Sequence, residues 1–363
     1  MLHELQVDPD IRKAWTIPSA FYTDPALFER SKSQIFANSW QWAGWSAQIK
    51  TPGSVLPFTL LEGCLGEPLL WSRDRDDQIH CLSNVCTHRG NLVCEGAGHT
   101  NSLRCRYHGR RFGLDGRFQS MPEFEGVENF PAESDHLPKV TFAKWKSLLF
   151  ARVNPSGPSM EEYMQGVTER ISFLPLDQFI HAPERARDYL VNGHWALYVD
   201  NYLEGFHIPY IHAALNATLD YGSYRTILLP HGNLQVGAAS DGEHVFDLPP
   251  GHPEHGERIS AFYFWMFPNL MLNFYPWGLS LNLVQPLSHG RTKVSFVPFV
   301  WRPEYLDQGS GGALDRVERE DEEVVELTQR GVRSRFYDRG RYSPVRELGV
   351  HQFHRMISEA MAE

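Results

Sequence analysis

Cysteine is scarce, with five residues in 363 and no framework spacing. That excludes a small disulfide-stapled fold and suits a reduced, cytoplasmic setting. An excess of basic residues is also missing. The formal charge is −10 at pH 7 and no basic stripe runs through the chain, so nucleic acid is not an expected partner. No apolar run has the form a membrane span needs. Residues 259–288 carry no charge, but Pro268, Asn269, Asn273, Pro276 and Gly278 interrupt them, so the stretch reads as buried antiparallel strands joined by a turn. The opening MLHELQVDPDIRKAW has no apolar h-region, so no secretory signal is expected. Internal repeats and low-complexity tracts are absent.

What is present is concentrated in two places. The first is a pair of short boxes, Cys86-Thr87-His88 and Cys105-Arg106-Tyr107-His108, separated by sixteen residues. Each box mixes one Cys with one His. A Rieske-type 2Fe–2S cluster needs this, with thiolates on one iron and neutral imidazoles on the other. Zinc also takes two Cys and two His and is the competing reading, although zinc fingers usually pair like with like. Gly90 and Gly109 stand just behind the two His, which suits two tight loops folded over a cluster. Neither box has the extra Cys that braces high-potential respiratory Rieske centres, so a lower-potential ferredoxin or oxygenase type is expected. Cys64, Cys81 and Cys94 are left over.

Around the boxes, residues 38–156 read as short alternating β segments, and the Pro/Gly/Ser-rich residues 154–159 as a linker. Before this stretch, Asp24 can cap a helix with Pro25 in its first position, running to about Phe36. After it come a helix near residues 160–172, further strands, a break at GSGG (309–312) and a final helical region. The layout is an α+β domain, residues 1–37 plus 157–363, split by an all-β insertion.

The second place is the run Asp200-Asn201-Tyr202-Leu203-Glu204-Gly205-Phe206-His207-Ile208-Pro209-Tyr210-Ile211-His212. Glu204 and His207 are three apart and share a face on a helix. His207 and His212, five apart, splay by about 140° on a straight helix. Pro209 between them predicts a kink that could aim both imidazoles at one ion. Two His and one carboxylate with open positions make the facial triad of non-haem Fe(II) oxygenases. A structural His pair is the alternative. A third ligand is available in residues 313–331, where Leu314, Val317, Val324, Val325 and Thr328 form a helical stripe with Asp321 in its middle. Glu320, Glu322 and Glu323 point to the flanks or away. A carboxylate aimed at the core needs a partner, either a metal or a buried Arg or water network.

Both boxes, the 200–212 segment and the late acidic helix resemble the α-subunits of Rieske non-haem iron oxygenases over nearly the whole length. The resemblance implies an all-β Rieske domain inserted in a helix-grip catalytic domain with a curved antiparallel sheet. It implies Cys86, His88, Cys105 and His108 as cluster ligands, and His207, His212 and Asp321 as ligands of a mononuclear Fe(II). It further implies a homotrimer in which Glu204 links the His108 of one chain to the His207 of the next, with Asn201 beside it as a second catalytic candidate. The partners it implies are O2, a small-molecule substrate and an NAD(P)H-dependent flavin or ferredoxin reductase. Glu at position 204, where most ring-hydroxylating members carry Asp, resembles the choline, carnitine and glycine-betaine monooxygenase-like branch. So do the runs FPNLMLNFYPWGLSLNLVQPL and SPVRELGVHQFH. The expected reaction is monooxygenation or demethylation of a quaternary ammonium or N-methyl compound. Ring hydroxylation of an aromatic acid, and electron transfer without oxygenation, are the alternatives.

Candidate cage aromatics for a methylammonium group are Phe206, Tyr210, Trp265, Phe274, Tyr275 and Trp277. Arg104, Arg106, Arg110, Arg111 and Arg117 suggest a reductase-docking patch beside the second box. His231, His252 and His255 are not expected at a metal, and residues 247–256 read as a surface loop or lid near the pocket mouth.

Overall fold

A computed structural model describes residues 5–312 and 314–362. The first residues of the N-terminal stretch and Ala313 of the acidic segment lie outside them. Two compact units result: Ala37–Met160, and the residues up to Phe36 joined to those from Glu161 onward. The second boundary lies beyond the Pro/Gly/Ser stretch because that stretch is tied down. Arg152 donates to the carbonyls of Pro155 and Pro158, stacks over Trp40, and Trp40 Nε1 also donates to Pro158. The expected linker is therefore an anchored loop of the inserted unit.

The chain opens with α1 (Ala20–Thr23) and α2 (Pro25–Ser31), and the Asp24 carboxylate caps α2 by accepting from Ala26 N at 2.8 Å. The α-helix does not reach Phe36 as the sequence suggests. Lys32–Phe36 widens into a π turn, which lets the consecutive Ile35 and Phe36 both be fully buried.

The inserted unit holds β1 (Gln41–Trp45), β2 (Ser54–Leu60), β3 (Glu67–Arg73), β4 (Ile79–Ser83), β5 (Gly98–His99), β6 (Leu103–Arg104), β7 (Arg111–Phe112), β8 (Phe118–Ser120), β9 (Thr141–Trp145) and β10 (Leu148–Arg152). They form three antiparallel sheets in the orders β1-β10-β9, β4-β3-β2-β5 and β6-β7-β8. Alternation along β3 divides the core. Leu69 and Trp71 join a cluster with Cys81 and Leu149, while Leu70 joins Leu82, Phe112, Cys86 and Cys105. Cys81 is thus core, and burial pushes its thiol well up.

In the larger unit, α3 (Met160–Arg170) leads to β11 (Ile180–His181), β12 (Arg187–Val191), β13 (Arg225–Leu229), β14 (Gly232–Ala238), β15 (Ile259–Met266), β16 (Leu270–Tyr275), β17 (Gly278–Ser288) and β18 (Arg291–Val300). These eight strands make one antiparallel sheet, β11-β18-β17-β16-β15-β14-β13, with β12 also on β18. The charge-free stretch supplies β15 to β17, the buried strands the sequence predicts. Every residue of β16 is buried, so both faces of the sheet centre are covered. The helices α4 (Trp195–Tyr202), α5 (Ile208–Ile211), α6 (Ala213–Thr218), α7 (Leu314–Gly331) and α8 (Leu348–Ala362) complete this unit. α4 packs on α7 and β17, and α8 packs on β13 and β14.

Candidate functional site

The two Cys-His boxes fold into the same turn. Cys86 N donates to Asn91 O and its carbonyl accepts from Gly90 N; Cys105 N donates to Arg110 O and its carbonyl accepts from Gly109 N. Gly90 and Gly109 have φ of +71° and +77°, left-handed conformations that glycine adopts without strain. Both thiols are buried, at 3% and 2% exposure, whereas both imidazoles are only half-buried. The rings of His88 and His108 lie 4.8 Å apart, and the buried His108 Nδ1 has no hydrogen-bond partner. Two buried thiols, two facing imidazoles and an orphaned ring nitrogen fit a cluster with unlike ends.

Arg110 departs from the docking patch expected of it. Its side chain is 2% exposed, paired to Asp135 Oδ1 at 2.6 Å and stacked on Phe112, Phe118 and Phe130. The Asp135 carbonyl accepts from both Arg110 and Thr87, so this pair ties the two boxes together. Arg104, Arg106, Arg111 and Arg117 are exposed.

In the larger unit the 200–212 segment is not one kinked helix. α4 ends at Tyr202, α5 is a single turn, and His207 and His212 flank that turn at its two caps. Pro209 lies in the first turn of α5, where its missing N–H breaks no ladder bond. The redirection comes instead from the Leu203–Gly205 break and from the non-helical His212, at φ −106° and ψ 72°. Glu204 stabilises the break, accepting from His207 N at 3.0 Å and from His207 Nδ1 at 2.7 Å. Asp200 points elsewhere and holds α4 in place, accepting from Tyr22 and His354 at 2.7 and 2.8 Å.

His207, His212 and Asp321 converge with their ligand atoms within 4.8 Å of one another. The two Nε2 atoms are 3.1 Å apart, and Asp321 Oδ1 lies 3.0 Å from His212 Nε2 and 3.5 Å from His207 Nε2. His212 Nδ1 meets Glu320 at 2.8 Å, as His207 Nδ1 meets Glu204. Ionised carboxylates only accept, so both Nδ1 atoms carry a proton, and each Nε2, once deprotonated, turns a lone pair toward the point it shares with Asp321. Burial alone would lower the His212 imidazole, but its hydrogen bonds to Asp321 and Glu320 hold it above the usual range. Three converging electron-pair donors fit a divalent metal.

Beside them lies a cavity of about 110 Å³ lined by Tyr198, Tyr202, Tyr224, Tyr263 and Tyr275, by Asn201, and by the sheet residues Gln235, Asn273, Asn282 and Phe296. Register explains the sheet contribution, because Gln235, Tyr263 and Asn273 are paired in a row across β14, β15 and β16. Of the expected cage aromatics only Tyr275 lines this cavity. Phe206 and Tyr210 are exposed, Trp265 and Phe274 pack inside the core, and Trp277 stacks behind Tyr275. The loop at 247–256 is not a lid over the cavity, because Glu254 is buried against Arg170 at 2.7 Å and His252 donates to the Arg170 carbonyl.

Two acidic residues escape the sequence stripe. Glu320 reaches His212, and Glu318 is 2% exposed and lines the cavity. Thr328, expected inside, is exposed; the buried face of α7 runs through Glu318, Val325 and Gln329. Spacing alone puts Glu318 there, three before Asp321 and seven before Val325.

Comparisons with known proteins cover both units of the chain. Residues 181–363 match the ring hydroxylating alpha subunit catalytic domain, and residues 39–131 match the Rieske 2Fe–2S domain. The chain is 31% identical to the chloroplastic choline monooxygenase of Arabidopsis thaliana, over 97% of this chain and 85% of that one. It is 27% identical to the carnitine monooxygenase oxygenase subunit of Escherichia coli (strain K12), over 97% and 95%. In fold it is similar to a quaternary ammonium Rieske monooxygenase crystal structure, with a TM-score of 0.81, 22% identity and coverage of 99% and 98%. No helix among the described residues is long and apolar enough to cross a membrane. The chain therefore belongs to the ring-hydroxylating α-subunits, Rieske oxygenases with a 2Fe–2S cluster and a mononuclear iron, which work with a reductase on a small substrate.

Proposed function

We propose that this oxygenase inserts one oxygen atom into a C–H bond of a small quaternary ammonium or N-methyl compound. The observation that carries the reading is the cavity wall beside His207, His212 and Asp321. Among the described residues it presents five tyrosines and three carboxyl groups, Glu204, Glu318 and Asp321, and no Lys or Arg. Tyrosine faces attract a methylammonium group, and carboxyl groups favour a cation. The relatives named for choline and carnitine support the same class. An aromatic acid, the alternative, would bring a carboxylate to a wall without a basic partner.

Cys86, His88, Cys105 and His108 would hold the cluster, and His207, His212 and Asp321 the iron. When bound, these groups supply one-electron transfer and a centre for O2 reduction. The chain's own residues do the rest. Glu204 and Glu320 fix the proton of each imidazole on Nδ1, the tyrosines enclose the substrate, and Asn201 stands at the wall to orient it. Overall, O2, two electrons and two protons convert R–H to R–OH and water. The electrons come from NAD(P)H through a flavin or ferredoxin reductase. Each oxygen of Glu204 keeps a free acceptor site after meeting His207, which supports a link to the neighbouring chain's His108 in a homotrimer. The expected setting is the cytoplasm.

The test is O2 uptake with a reductase over a panel of choline, betaines, carnitine and aromatic acids, with formaldehyde measured for demethylation. Coupled uptake with a quaternary ammonium compound is expected. Coupled uptake with an aromatic acid alone, giving a ring-hydroxylated product, would move the assignment to ring hydroxylation.

A further inference from the structure

We infer that Glu318 is the residue that selects a cationic substrate, its carboxylate serving as the counter-charge of the ammonium group in the cavity. The inference rests on the quaternary ammonium reading and names the group that enforces it.

The polar groups of the cavity wall largely satisfy one another. Tyr224 donates to Gln235 Oε1, Gln235 donates to the Tyr202 carbonyl, and Tyr202 donates to Asn273. Asn282 accepts from Ser280. Glu204 serves His207, and Asp321 faces both imidazoles. Glu318 is different. Tyr198 donates to its Oε2 at 2.5 Å, while Oε1 has no hydrogen-bond partner although the residue is 2% exposed. A buried carboxyl group with one oxygen unpartnered is costly, and an apolar residue in its place would avoid that cost. Glu318 lines the cavity, so the charge of a group that enters it is felt by this carboxyl.

A quaternary ammonium ion supplies such a charge without hydrogen bonding. Its charge is spread over the methyl groups, so it needs an aromatic wall and a nearby negative charge, not a donor–acceptor contact. Glu318 sits on that wall with Tyr198 beside it. Burial holds its carboxyl well above the usual carboxylate range, partly offset by the Tyr198 hydrogen bond. An arriving cation favours the ionised form. A neutral substrate of the same shape gains nothing from it, and a substrate carboxylate meets repulsion.

The experiment compares choline with its carbon isostere, in which a tert-butyl group replaces the trimethylammonium. Both are titrated calorimetrically into the iron-loaded protein with its cluster oxidised, so that no turnover occurs. Wild type should bind choline about tenfold or more tighter than the isostere. In Glu318→Gln, which keeps the side-chain shape and a partner for Tyr198, that preference should collapse while isostere affinity stays unchanged. Glu318→Asp, which keeps the charge, should retain it. A Gln variant with the wild-type preference overturns the assignment, as does an Asp variant that loses it or a Gln variant that no longer binds the isostere. Wild type without any preference instead overturns the quaternary ammonium reading itself.

Discussion

Arg106, inside the second box, and Arg110, two residues beyond it, carry the same charge and do opposite jobs. Arg106 is 80% exposed and meets Glu95 at 3.3 Å, whereas Arg110 lies under three phenylalanine rings with Asp135. Arg110→Glu should therefore act on the fold. Breaking a buried pair costs about 3–5 kcal/mol, and the boxes it ties should lose the cluster. Denaturant unfolding together with the cluster's visible absorbance reads this directly. Arg106→Glu should leave both unchanged and raise the KM for the reductase at low salt, the difference fading as salt is added. Equal reductase kinetics for Arg106→Glu and wild type at low salt would remove Arg106 from the docking surface. The sequence shows a positive cluster but not which member turns inward. That depends on Phe118, Phe130 and Asp135, which come from other parts of the chain.

At the scale of elements, the chemistry-bearing motifs were legible because their spacing is local. The Cys-His boxes, the capped start of α2 and the charge-free strands each follow from neighbours a few residues away. Misjudged features depend on which side chains meet, near or far, and spacing does not show that. Pro209 suggested a kink, but Glu204 and the Leu203–Gly205 break do the turning. Glu318 and Glu320 look like a solvated face until α4 and the His212 turn pack against α7. The head of α4 also rests on a contact from far along the chain. His194 caps it, accepting from Ala196 N at 3.3 Å, and its own N–H donates to Gln329 at 2.6 Å. Burial pushes this imidazole down to about 3. In the unfolded chain it takes up a proton near its ordinary value of 6.5, so its contribution is full above that pH and is lost as pH falls toward about 3. The loss is about 1.4 kcal/mol per pH unit within that window. His194→Asn keeps a capping oxygen and removes the titration. Its stability should therefore fall less steeply than wild type across that window, by about 1.4 kcal/mol per unit in urea unfolding. Parallel pH profiles for the two proteins would assign the acid sensitivity to other groups.

For the whole molecule, the decisive arrangement is two compact units, each with donors for a different iron site. The inserted unit brings its imidazoles to a half-buried position, and the larger unit leaves Glu204, on the His207 side of its site, with acceptor sites free. If electrons cross from one chain to the next, the two halves need not be intact in the same polypeptide. His108→Ala should abolish the cluster while keeping the mononuclear iron, and Asp321→Ala should do the reverse. Each variant alone should be inactive. Co-expressed, the two should assemble mixed oligomers in which an intact cluster neighbours an intact iron, and coupled O2 uptake should return to a substantial fraction of wild type. Adding Glu204→Ala to the His108→Ala chain, whose mononuclear iron is the working one, should abolish that recovery without altering iron content. No recovery from the double co-expression, with mixed oligomers verified by tagged pull-down, would place the electron path within a single chain and remove Glu204 from it.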